Sequence, residues 1–405
     1  MSVSCLIPRS SSRRSFALCI LPLLISSLLI ACATGAEDGW SGMITLEDGV
    51  VHIYNPDQPL WGEEYHPLNE LEILGGADAE LAALFAEPIC LITGSDGTRY
   101  VLDAKDTRVL RFARDGEYLG SFGREGEGPG EFSSPSSMTM LPGEIILVAD
   151  PGRRRFSRFS TEGRFLGSIT LQRDIGQIRA SRSGIVYMHS QQRGMVVSLN
   201  MGVAVETEEE KTLIDILDDR GERTGGFGVV EQYDGMMLGS WMNKVLPSFT
   251  RGDTMVLNHM GKDRIDLFTP DGTLVRVAHR SIPFEPVEPL EENNQTVHDD
   301  GSVSFSMTFE FDILSTGFAV APDGSYWAAL VALTQTDRRE GVEEEDEISQ
   351  EWAVDLFDSD GRWLARHPLG IDYPHALLDW GPAGLYILNP EGDATVRRFE
   401  VVPPA

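Results

Sequence analysis

Between Gly94 and Ser168 one pattern of apolar runs and turn residues is written twice. The first copy reads Asp96-Gly97, Arg99-Tyr100-Val101-Leu102-Asp103, Arg108-Val109-Leu110-Arg111-Phe112 and Asp115-Gly116-Glu117-Tyr118-Leu119-Gly120. The same skeleton returns, 47 residues on at Asp150 and Phe159, as Pro142-Gly143, Ile145-Ile146-Leu147-Val148-Ala149-Asp150, Arg155-Phe156-Ser157-Arg158-Phe159 and Glu162-Gly163-Arg164-Phe165-Leu166-Gly167. Short apolar runs joined by Asp-Gly or Glu-Gly are strands linked by tight turns, because Gly accepts the positive φ those turns demand. A period of about 40–50 residues holding about four strands predicts a β-propeller blade.

The skeleton continues with more variation. Phe112, Phe159, Leu217, Phe268, Phe357 and Phe399 occupy equivalent positions and count six blades, with insertions at Ser190 to Glu210 and Val331 to Gln350. In the first five copies Gly follows by four residues, but in the sixth that place is Pro403 and no outermost strand remains. Residues 43–75 are strand-like at Met43-Ile44-Thr45-Leu46, Val50-Val51-His52-Ile53-Tyr54 and Leu71-Glu72-Ile73-Leu74-Gly75, yet make no full copy. An open sheet edge leaves backbone groups unpaired. The expected fold is therefore all-β: a six-bladed propeller of four-stranded antiparallel blades spanning 43–405, its last blade completed by 43–75.

Residues 1–31 read as an export leader, with Arg9, Arg13 and Arg14 ahead of an uncharged run from Phe16 to Ile30. Leu29-Ile30-Ala31-Cys32 resembles the bacterial lipobox, which implies cleavage before Cys32, its lipidation, and a tethered spacer over 32–42. Ala33 stands where Asp would signal inner-membrane retention, so the expected address is the outer membrane, facing the periplasm or the cell surface. The seven residues from Ala33 to Gly39 span at most about 25 Å. Ser12-Arg13-Arg14-Ser15-Phe16 also resembles a twin-arginine signal, and both export routes stay open.

Without the leader the chain holds 30 basic against 63 acidic residues, a net charge of −33. Such a charge repels phosphates and excludes nucleic acid as the main partner. Only Cys90 remains in the body, inside Ile89-Cys90-Leu91-Ile92, so the fold holds by packing alone and Cys90 reads as a small core residue.

The run Gly123-Arg124-Glu125-Gly126-Glu127-Gly128-Pro129-Gly130-Glu131-Phe132, with Pro135 and Val148-Ala149-Asp150 after it, resembles the signature of NHL-repeat propellers. With the leader, the chain resembles bacterial six-bladed propeller lipoproteins of TolB-like shape. That resemblance implies binding of a protein, peptide or glycan in the cell envelope, by a monomer, more often than a reaction. The glycine-rich loop lacks Gly-Lys-Ser/Thr and opens no helix, so it is a blade connection rather than a phosphate cradle. The histidines show no metal-ligand spacing, and neither a Gly-x-Ser-x-Gly elbow nor His-Glu-x-x-His occurs, so no cofactor, metal or catalytic residue is assigned. A lactonase- or lyase-like propeller with a channel metal is the alternative.

Two sets of candidate site residues follow. The inner strands, near 88–93, 135–141, 177–182, 246–251, 316–321 and 374–379, put Arg179, His375 and Asp379 into the central channel. Lys105, Arg108, Arg124, Arg153, Arg154 and Arg155 fall on the face shared by second-to-third-strand and blade-to-blade loops. As an exposed basic cluster they would draw an anionic partner, and otherwise they pair with nearby acids. The shared spacing of Asp103 to Arg108 and Asp150 to Arg155 predicts an ion pair repeated by blade.

Overall fold

A computed structural model describes residues 39–77, 79–189, 211–250, 252–297, 303–335, 351–369 and 376–404. Six antiparallel sheets stand around one axis, each beginning at its innermost strand: Pro88–Thr93, Ser137–Leu141, Ile178–Ala180, Val245–Phe249, Ser315–Val320 and Leu377–Gly381. Inner strands touch in succession from blade four through five, six, one and two to blade three, with Leu377–Gly381 meeting Pro88–Thr93 between the last blade and the first. The expected class and blade number are what the chain forms.

Apolar side chains from facing blades meet in six separate cores. One joins blades one and two through Leu102, Val109, Phe132 and Ile146, and another joins blades six and one through Leu91, Phe112, Tyr386 and Val396. Along the axis itself polar side chains, among them Ser136, Gln177, Arg179, Thr316 and Asp379, stand between apolar ones such as Ile89, Leu246 and Phe318. Inner strands have one unpaired edge each, and neighbouring hydroxyls satisfy it. Ile178 and Ala180 donate backbone N–H to Ser137 Oγ and Thr139 Oγ1 at 3.0 and 2.9 Å, and Val320 donates to Ser248 Oγ at 3.1 Å.

The N-terminal segment departs from the expected arrangement. Only Leu68–Gly75 completes the sixth blade, pairing antiparallel with Thr395–Val401. Met43–Glu47 and Val50–Tyr54 form a hairpin whose second strand runs parallel to Leu274–His279, so blade four has six strands. The physical reason is apolar: Trp40 and Ile53 bury against Val256, Ile265, Ala278 and Trp327 in the seam of blades four and five. Between hairpin and closing strand the chain crosses blade five, where Leu60 and Trp61 donate N–H to the carbonyls of Trp363 and Leu364 at 3.1 and 2.7 Å. Residues 39–75 thus form a belt over three blades.

Two further elements were not expected. The helix Met236–Met242 interrupts the connection from blade three to blade four, and the hairpin Leu290–Val297 with Val303–Glu310 interrupts the next connection. With four strands per blade, blade-to-blade connections and second-to-third-strand loops leave from one face, and the Asp-Gly turns from the other. The insertion 190–210, and residues 336–350 of the second insertion, lie outside the described residues.

Candidate functional site

The inner strands enclose a throat of about 30 Å³ to which all six contribute, among them Cys90, Ser136, Arg179, Leu246, Thr316 and Asp379. Arg179 starts on blade three and reaches across the axis: its Nη1 lies 3.8 Å from Cys90 Sγ on blade one and donates to Ile178 O at 3.4 Å. No carboxylate of the described residues pairs with it at salt-bridge distance. Asp379, on blade six, accepts the backbone N–H of Trp380 at 2.7 Å. Burial pushes the Asp379 carboxyl up to about 6, with Arg179 pulling the other way. Burial also raises the Cys90 thiol, again opposed by Arg179. Two hydroxyls on this wall, Ser136 Oγ and Thr316 Oγ1, are shielded and have no partner, and Thr316 is 8% exposed.

The throat opens on the loop-rich face into a depression of about 540 Å³ between blades one and two. Its wall includes Glu87, Lys105, Thr107, Glu125, Ser133 and Ser134, and it shares Ile89, Ser136, Gln177 and Leu377 with the throat. The repeat builds this mouth. Asp103 accepts the N–H groups of Ala86 and Glu87 at 3.0 and 2.8 Å, and Asp150 those of Ser133 and Ser134 at 3.0 and 2.9 Å. Arg108 and Arg155, five residues later, donate to Leu84 O and Glu131 O at 2.8 and 2.6 Å. Each Asp to Arg distance is 3.7 Å, so the predicted pair exists, but both aspartates are fully buried and chiefly hold loop amides. A buried carboxylate satisfied by two N–H donors fixes a connection far more firmly than an exposed ion pair does.

The basic residues carry their own counter-ions. Arg108 meets Asp106 at 2.9 Å, Arg124 meets Glu131 at 2.6 Å, Arg153 meets Glu127 at 2.7 Å and Arg154 meets Asp174 at 3.1 Å. Pairing with nearby acids is the arrangement present for these four arginines, and the positive field is correspondingly weak. Lys105 stands on the mouth wall. The glycine-rich loop spends its donors internally, since Gly128 N–H bonds Glu131 Oε2 at 2.7 Å. Gly123 (φ +88°) lies where a Cβ would sit 2.4 Å from the Phe132 ring, which plugs the seam of blades one and two. Cys32 and His375 lie outside the described residues. Arg179 and Asp379 were legible from inner-strand placement, whereas Ser136, Gln177 and Thr316 carried no signal, because single uncharged polar residues at or beside a strand look like ordinary polar positions. Among the described residues no three His, Cys, Asp or Glu side chains are grouped to hold a metal ion.

Comparison with known proteins agrees with this architecture. A family described as 6-bladed beta-propeller (DUF5128) matches residues 85–197. No curated protein matches the chain. A member of the DUF4221 family from Bacteroides vulgatus superposes with a TM-score of 0.56 at 12% identity, covering 83% of this chain and 98% of that one. A Bacteroides fragilis protein, provisionally described as exported, gives a TM-score of 0.52 at 12% identity, covering 82% and 95%. Virginiamycin B lyase from Staphylococcus aureus gives 0.41 at 11% identity over 82% and 99%, a likeness of outline alone. No helix among the described residues is long and apolar enough to cross a membrane.

Proposed function

We propose that this chain is an exported binding module of the cell envelope, tethered through Cys32 at the outer membrane, which receives a protein, peptide or glycan at the axial mouth. The observation that carries this reading is the placement, among the described residues, of two long blade-to-blade excursions on one face. The helix Met236–Met242 and the hairpin Leu290–Glu310 rise from the face that holds the 540 Å³ depression, while the other face has short turns. Irregular segments on a rigid scaffold are where such folds bind. Similarity to a protein described as exported supports the location.

The test is site-specific photocrosslinking in intact cells, with the reactive side chain at Lys105 on the mouth or at Asp115 in a turn of the opposite face. A discrete adduct from Lys105 and none from Asp115 is expected, and Ser134→Trp, which fills the depression, should abolish it at an unchanged melting temperature. Equal labelling from both faces would overturn the docking assignment. For the tether, Cys32→Ala should release the protein from the membrane fraction, and unchanged fractionation would refute it.

A further inference from the structure

Arg179 is a permanent cation deep in the molecule. A guanidinium offers five N–H donors, and the described residues supply this one with a thiol at 3.8 Å and a long contact to the carbonyl of the preceding residue. Around it stand the unpartnered hydroxyls of Ser136 and Thr316. A buried hydroxyl without a partner is destabilising, so the wall is organised for something that accepts hydrogen bonds. The space of about 30 Å³ corresponds to roughly two or three water positions. That is the size of one carboxylate group, and too small for a sugar ring.

We propose that the throat is a carboxylate-binding site, in which Arg179 and the hydroxyls of Ser136 and Thr316 donate to the anion and the protonation of Asp379 decides when it is admitted. The assignment rests on the mouth as the way in, and not on the identity of any partner docked there. Charge decides the gating. Ionised, Asp379 already offsets the charge of Arg179 and repels an entering carboxylate; protonated, it leaves the throat with a net positive charge and a further donor. The groups facing Asp379 at this level are few. Blade one presents Cys90, blade two Ser136 and Ser137, blade three Gln177 and Arg179, blade four Leu246 and Pro247, and blade five Thr316 and Phe318. Cys90 is the one other group among these, besides Arg179, that can change charge, and burial moves its thiol up, away from neutrality. The Asp379 carboxyl, near 6, places the change between mildly acidic and mildly alkaline conditions.

Formate, which is ionised throughout, is the probe, titrated calorimetrically into the full mature chain. Because apparent affinity scales with the fraction of protein in the competent state, binding should be roughly a hundredfold tighter at about pH 5 than at about pH 8. Asp379→Asn should bind at both with the acid affinity, and Arg179→Gln should not bind at all. Thr316→Val keeps shape and removes only an unpartnered hydroxyl, so it should melt at or above the wild-type temperature while binding about tenfold more weakly; it serves where Arg179→Gln does not fold. A triglycine with a free C-terminus that binds where its amide does not identifies a chain terminus as the source of the carboxylate, and formate binding without any triglycine binding identifies a free acid. Silence of formate at about pH 5, or wild-type affinity in both Arg179→Gln and Thr316→Val, overturns the site. A formate site that persists when Ser134→Trp abolishes the photocrosslink shows the throat to be sound whatever docks at the mouth, and loss of crosslinking specificity with formate binding intact overturns only the docking reading.

Discussion

Two titrating side chains, Asp379 and His367, are pulled in opposite directions by the same cause. Burial raises the Asp379 carboxyl to about 6 from 3.8, and burial, with His66 beside it, lowers His367 to about 4 from 6.5. The signs follow from which state holds the proton more tightly. Folded Asp379 holds it more tightly than the unfolded chain, so its contribution falls as pH rises between those two values. Folded His367 holds it less tightly, so its contribution is lost as pH falls through nearly the same window. The Asp379 shift corresponds to about 3 kcal/mol, and that of His367, which is partly exposed and screened, to less. Burial also lowers His189 and His259. The wild type should therefore lose stability toward acid, with Asp379 softening a fall that His367, His189 and His259 drive. Urea unfolding between about pH 4 and pH 7 checks this: Asp379→Asn should gain about 1–2 kcal/mol at neutrality and show a steeper acid loss, while His367→Phe should flatten it. Parallel curves for all three proteins would show that neither group is coupled to folding.

At the scale of elements, local pattern was readable and long-range partnership was not. The strands of blades one and two could be placed because Asp-Gly and Glu-Gly turns and alternating burial are written within a few residues of one another. Asp103 and Asp150 were visible for the same reason, as a repeated spacing, though their bonds to loop amides 16 and 17 residues upstream were not. The hairpin 43–54 was assigned to the wrong blade because its partner strand, Leu274–His279, is more than 200 residues away and nothing near Val50–Tyr54 specifies it. One side chain explains how that partnership is held. Asn55 donates Nδ2 to His279 O and Gly361 O at 2.9 Å each and accepts Trp363 N–H at 2.7 Å, joining blade four, blade five and the belt. At about 1 kcal/mol per net hydrogen bond, Asn55→Ala should cost about 2–3 kcal/mol. Hydrogen exchange should quicken at Leu60 and Trp61 with little change at Val101 or Val148. Unchanged exchange in the belt would show that its apolar anchors alone suffice.

The whole ring is stabilised by six seams of similar kind and lacks a dominant centre, so each blade depends on both neighbours. A chain of blades with one open seam has two exposed faces and an unpaired strand edge. Here that seam is closed without a covalent link: Leu68–Gly75 supplies the outer strand of blade six, and Glu72 bonds both Arg99 on blade one and Arg398 on blade six, the latter at 2.9 Å. Trp40, Ile53, Leu68 and Leu74 are the buried anchors of the belt, and at about 1.5–3 kcal/mol each they outweigh the hydrogen bonds. Their sum is comparable to the net stability of an ordinary domain, about 5–15 kcal/mol. Removing 39–75 should therefore abolish cooperative unfolding of the entire ring, rather than lower its melting temperature by a few degrees. Because the closure is non-covalent, a separate peptide of residues 39–76 should restore a single cooperative transition to the 77–405 chain, with a midpoint that rises with peptide concentration. Replacing Trp40 and Leu74 by Ala in that peptide should weaken the rescue, since those two anchors bury in different seams, blades four with five and blades six with one. A truncated chain that melts like the intact protein, or one that the peptide leaves unchanged at any concentration, would mean that blades one to six close the ring by themselves.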